Sequence, residues 1–148
     1  MRMKLNMLLI SIALGTFITG CSKSDDDPAN STGVTVAGVQ NSLQAGTWRI
    51  TYFWDTDHDE TNNFSGYHFT FFTTGSIMAM NTTEHIQGTW SVGTDDSKVK
   101  LNIAFTSPPN FAELTEDWQV IENTPTRVKL QHISGGYGGT DFLTFEKD

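Results

Sequence analysis

The sequence predicts an all-β domain, an up-and-down antiparallel barrel of about eight short strands. Segments rich in aromatic and β-branched residues recur from Thr47 onward, and within them apolar and polar residues alternate, as in strands that cover a core with one face. Turn residues separate these segments. No stretch shows a helical pattern long enough for a crossover connection, which argues against a parallel α/β sheet. A row of strands in this style protects its edges by curling closed.

Residues 1–20 read as a signal peptide. Arg2 and Lys4 form a positive n-region, and Leu5 to Ile18 form an apolar stretch interrupted by Asn6, Ser11 and Thr16. That stretch is short for a bilayer span, which needs roughly 20 apolar residues, so cleavage is expected. Residues 21–44 are expected to be a cysteine followed by a flexible tether rich in Ser, Asp, Asn, Gly and Thr, and residues 45–148 the barrel.

The first strand is expected to place Trp48, Ile50, Tyr52 and Trp54 on one side and Arg49, Thr51 and Phe53 on the other. An acidic loop follows, in which Asp55, Asp57 and Asp59 offer hard oxygen ligands suited to calcium. The loop departs from an EF-hand, because Glu60 and Gly66 stand where glycine and a bidentate glutamate are required, and a solvated hairpin is the alternative. Tyr67 to Thr73 and Ser76 to Met80 make a hairpin around Thr74-Gly75, with Tyr67, Phe69 and Phe71 sharing one side. Phe72, Ile77, Met78, Ala79 and Met80 supply more apolar surface than a one-sided sheet requires, which points to a crowded barrel or an exposed contact patch.

In His85 to Val92, Ile86, Gly88, Trp90 and Val92 alternate with polar residues, and Gly88 suggests a bulge or sharp bend. Val99, Leu101, Ile103 and Phe105 form the clearest inward row. Asn110 to Leu114 fits one helical turn, with Asn110 and Glu113 as a capping box. Strands at Trp118–Glu122, Arg127–Ile133 and Asp141–Lys147 complete the series, the last with Leu143 and Phe145 facing opposite to Phe142 and Thr144. The glycine-rich loop before the last strand displays Tyr137 and lacks the Gly-Lys-Ser/Thr ending of a phosphate-binding loop.

Seventeen acidic and nine basic residues give a formal charge of -8, and removal of residues 1–20 would make it -10. This balance argues against nucleic acid as a partner. Cys21 is the only cysteine, so an intramolecular disulfide is excluded. His58, His68, His85 and His132 are scattered without metal-ligand spacing, and neither an enzymatic function nor a cofactor is expected.

Three resemblances extend this reading. Ile18-Thr19-Gly20-Cys21 resembles the lipobox of bacterial lipoproteins, which implies lipidation of Cys21 and a membrane anchor in the cell envelope. Asp25-Asp26-Asp27 behind it resembles the signal that sends Bacteroidetes lipoproteins to the outer face of the outer membrane. Gly46-Thr47-Trp48 resembles the Gly-x-Trp of lipocalins, and its spacing to Phe69-Thr70-Phe71, Gly88-Thr89-Trp90 and Phe142-Leu143-Thr144-Phe145 is similar to the small lipocalin-like lipoproteins of Bacteroidetes. The resemblance implies that Trp48 sits at the base of the barrel, with Arg127 as the residue to stack on it.

Two functions follow as expectations. One is an anchored binding module that holds a small apolar molecule, a glycan or a peptide, motivated by four Trp, three Tyr and ten Phe. The alternative is a structural or inhibitory envelope protein with a filled barrel, contacting a partner protein through Phe53, Phe72, Met78, Met80, Tyr137 and Phe142.

Overall fold

In the computed structural model, which describes residues 33–136 and 138–148, strand β1 (Thr47–Asp55) pairs with both β3 (His68–Phe71) and β9 (Thr140–Lys147). That double pairing closes a ring. Around it run β4 (Ser76–Met80), β5 (His85–Asp95), β6 (Lys98–Ala104), β7 (Glu116–Asn123) and β8 (Arg127–Ile133), each antiparallel to its neighbours. The two-residue β2 (His58–Asp59) folds back on the end of β1. The expected up-and-down barrel of eight short strands is therefore the fold, with the open edges of a flat sheet removed by closure.

The first departure from expectation lies in the segment read as tether. Val36–Gln44 is a helix, α1, capped where the Thr35 hydroxyl accepts from the Gly38 N–H at 3.0 Å. Val39 and Leu43 are fully buried and Val34 nearly so, and α1 packs against β3, β5 and β7. The folded domain thus starts before residue 45. Cys21 and the acidic run after it lie outside the described residues.

A second departure is a one-residue shift in the β1–β9 ladder between Ile50 and Tyr52. Because side chains alternate, an extra residue reverses the faces beyond it. Trp48 and Ile50 point inward as expected, but Phe53 is buried while Tyr52 turns out to solvent. The β7–β8 ladder carries a similar shift between Val120 and Glu122. Elsewhere the alternation holds: Phe69, Phe71, Ile77, Ala79, Val99, Leu101, Ile103, Val128, Leu130, Leu143 and Phe145 all face the core.

Aromatic rings fill the interior edge to face. Phe69 and Phe71 meet Phe145 at 5.4 and 5.5 Å, and Phe53 meets Phe64 at 5.6 Å and Trp118 at 6.3 Å. Phe111 touches Phe64, Tyr67 and Phe105 at 5.3, 5.0 and 5.2 Å. It is carried by the short helix α2 (Pro109–Ala112), which with the 3-10 turn Thr61–Phe64 covers the end of the barrel opposite α1. The expected capping box is not formed there: Pro108 is the cap residue and bonds through no side chain, and Asn110 donates to Asn63 O instead. Three buried tryptophans satisfy their N–H groups on backbone carbonyls, Trp48 on Leu43, Trp90 on Phe72 and Trp118 on Leu114.

Gly88 marks a close approach rather than a bulge, since β5 pairs with β4 and β6 in unbroken register. A Cβ there would stand 2.5 Å from Ala104 O and 2.7 Å from the Phe105 ring. Gly88→Ala is expected to cost about 1–3 kcal/mol by chemical denaturation. Gly93→Ala on the same strand, where nothing lies within 4 Å, is the matched control and should change stability by no more than about 0.5 kcal/mol.

Candidate functional site on the barrel exterior

The β1 shift that buries Phe53 also builds an outer face. Across β1, β9 and β8, Trp54 stands beside Phe142 and Gln131, and Tyr52 beside Thr144 and Lys129. Thr144 points outward on its strand yet is only 9% exposed, because taller neighbours surround it. The result is a cleft of about 360 Å³ with Thr144 on its floor and Tyr52, Phe142 and Ile121 among its walls. Ile121 lies at the β7 shift, so both irregularities of the barrel border the same cleft.

The two cationic groups at its rim, Arg127 and Lys129, are already paired. Arg127 Nε donates to Glu122 Oε1 at 2.6 Å, and Lys129 Nζ lies 3.3 Å from Glu122 Oε2. The Arg127 hydrogen bond holds the Glu122 carboxyl below its usual range, and Glu122 in turn raises Arg127. An adjoining cleft of about 450 Å³ shares Arg127 and Glu146 and extends the concavity past Thr124 and Lys147. The cleft therefore has an apolar centre, aromatic walls and a charged margin.

The expected contact residues divide. Phe142 belongs to this cleft. Phe53 is not on the outer face, being 1% exposed beneath the shifted strand. Phe72 is exposed at the β3–β4 turn, and Met78 and Met80 are partly exposed on β4, on strands that do not line the cleft. Tyr137 lies outside the described residues. Tyr52 and Ile121 were not legible as site residues; their signal was the adjacent apolar pairs Tyr52-Phe53 and Val120-Ile121, which strict alternation does not produce.

Trp48 is fully buried where α1 closes the barrel. The cation over its ring is Lys147, with Nζ 5.8 Å from the centroid, and not Arg127, which Glu122 holds.

The acidic loop does not gather its three aspartates. Asp57 bonds His58, Asp59 accepts from the Thr61 N–H at 2.9 Å, and Asp55 accepts from the Thr56 hydroxyl at 3.2 Å. Its hydrogen bond to Asp57 raises the His58 imidazole above its ordinary pKa. Among the described residues, the set of side chains that converges as metal ligands is instead Glu116, Asp117 and His132. Glu116 also lines a cleft of about 170 Å³ at the α2 end, together with Asp55, Glu113 and Asp141. Burial, with Glu60 and Asp55 nearby, pushes the Glu113 carboxyl up.

The fold and this exterior define a closed antiparallel β-barrel packed with aromatic rings, with two clefts on its outer face and a smaller one at its α2 end, lined in part by Phe53 and Trp118. No family model matches the chain, and no curated protein matches it. Among solved structures, a DUF4847 family protein from Bacteroides vulgatus is similar, with 16% identity and a TM-score of 0.50 over 74% of this chain and 97% of that one. A lipocalin-like protein from Bacteroides uniformis is also similar, with 16% identity and a TM-score of 0.44 over 72% of this chain and 99% of that one. The likeness is one of fold.

Proposed function

We propose that this chain is an envelope lipoprotein, anchored through Cys21, that binds a partner protein with the outer cleft between Tyr52, Ile121 and Phe142. One observation carries the reading: interlocking rings from Phe53 to Phe145 pack the barrel and helices cover its ends, while clefts of about 360 and 450 Å³, larger than the one of about 170 Å³ at the α2 end, lie on the outer face. Aromatic side chains at the centre of such a cleft supply large contact area at low entropic cost, and the paired Arg127, Lys129 and Glu122 form a polar margin. The formal charge of -10 after removal of residues 1–20 keeps the domain from lying flat on an anionic membrane, leaving the cleft accessible.

The test uses the full chain in its native envelope, with a photo-crosslinking residue in place of Tyr52 or, as control, Ser91 on β5. The expected result is one discrete protein adduct from position 52, lost when Phe142→Ser is added and absent from position 91. Cys21→Ser should release the chain from the membrane fraction. Equal crosslinking from both positions, or a stoichiometric apolar molecule co-purifying with the wild-type chain, would overturn the proposal in favour of non-specific contact or an interior carrier.

A further inference from the structure

We propose that Glu116, Asp117 and His132 form a binding site for a divalent transition-metal ion of the zinc class at the rim of the barrel, separate from the outer cleft. Neighbouring strands supply the ligands: His132 lies near the end of β8, one residue past the Gln119–Gln131 pair, and Glu116 and Asp117 open β7. His132 Nδ1 is 3.3 Å from Asp117 Oδ1 and 3.6 Å from Glu116 Oε2, and all three ligand atoms lie within 4.8 Å of one another. A tetrahedral ion with bonds of about 2.0–2.1 Å separates its ligands by about 3.3–3.4 Å, so the Asp117 edge already has that length and the Glu116 edge is slightly longer. An imidazole nitrogen with two carboxylates selects a zinc-class ion over calcium, which takes oxygen alone.

The surroundings orient these ligands. Lys100 Nζ bonds Asp117 Oδ2 and the Asp117 carbonyl, each at 3.1 Å, which leaves Oδ1 turned to the imidazole. The edge contact with Trp118, 6.2 Å between centroids, fixes the ring, and the His132 side chain is only 17% exposed. The cleft that Glu116 lines also contains Asp141, 8% exposed, whose Oδ1 accepts from the Thr56 N–H at 2.7 Å and from the Thr56 hydroxyl at 3.3 Å. Asp55 and Glu113 line the same cleft, so the Glu116 edge of the site borders negative charge and a space of about 170 Å³ that can hold water. His58 makes the contrast clear: its two nitrogens face different carboxylates, Asp57 and Glu60, on opposite edges of the ring, so no common point remains for an ion.

The experiment is calorimetric titration of zinc into the metal-free full chain in detergent, with His132→Gln, Asp117→Asn and Asp57→Asn compared, and folding of each checked by circular dichroism. The expected result is one equivalent bound, weakened roughly tenfold or more by His132→Gln and by Asp117→Asn, and unchanged by Asp57→Asn. Cobalt in place of zinc should quench the adjacent Trp118 in the wild type and not in His132→Gln. Absence of saturable binding, equal binding by the two rim variants and wild type, or loss on Asp57→Asn alone would overturn the assignment.

Discussion

A chain beginning at Ala45 is expected to be about 3–5 kcal/mol less stable than one beginning at Gly33, measured by urea denaturation. The loss follows from what α1 contributes. Val39 and Leu43 are fully buried, Val34 is 6% exposed, and each such side chain stabilises by about 1.5–3 kcal/mol. Removing the helix also removes the Leu43 carbonyl that accepts from Trp48, at about 1 kcal/mol. The conformational entropy released by deleting α1 takes back part of the sum, which is why the net figure is below the gross one. For a domain with a typical total of about 5–15 kcal/mol, the truncated chain would be marginal. Equal urea midpoints for the two chains would show that α1 is a peripheral ornament of a self-sufficient barrel.

That α1 escaped the sequence reading has a physical cause. Its apolar positions Val36, Val39 and Leu43 are separated by Gly38 and by polar residues, and Gly38 is a poor helix former. Thr35 as a cap and the three-then-four spacing were the available signals. The helix is held chiefly by burial against the barrel, information that belongs to the tertiary structure. Strands β4, β5, β6 and β8 were legible because each keeps one register along its length, so one-dimensional alternation maps directly onto burial.

β1 was legible only as far as Ile50. Its run Thr51-Tyr52-Phe53-Trp54 places aromatics on both parities, which signals that strict alternation fails there but not at which residue the faces exchange. The candidate sites were obscure for a related reason. Glu116 and Asp117 are adjacent and His132 follows fifteen positions after Asp117, a spacing that means nothing until β7 and β8 pair. Conversely, Asp55, Asp57 and Asp59 are regularly spaced, but local hydrogen bonds to Thr56, His58 and Thr61 take them to separate places.

Trp48→Ala is expected to lower stability by about 3–5 kcal/mol, the range for deleting a large buried aromatic side chain. Trp48 is 0% exposed and stands where β1 meets β3 and β9, its neighbours in register being Phe69 and Lys147. Three interactions are lost together: the ring's burial, the 2.9 Å bond to Leu43 O and the Lys147 ammonium over the indole. Trp48→Phe separates them. It keeps a buried ring but leaves the Leu43 carbonyl without its donor, and should cost about 1–3 kcal/mol. Lys147→Gln removes the cation alone and should cost no more than about 1 kcal/mol. The order Ala, then Phe, then Gln in urea denaturation would assign most of the effect to packing of the ring, with the hydrogen bond fixing how α1 seats on the barrel. If Trp48→Phe proved as costly as Trp48→Ala, the indole N–H to Leu43 would be the dominant contact, and the closure of this end would rest on one hydrogen bond rather than on buried area.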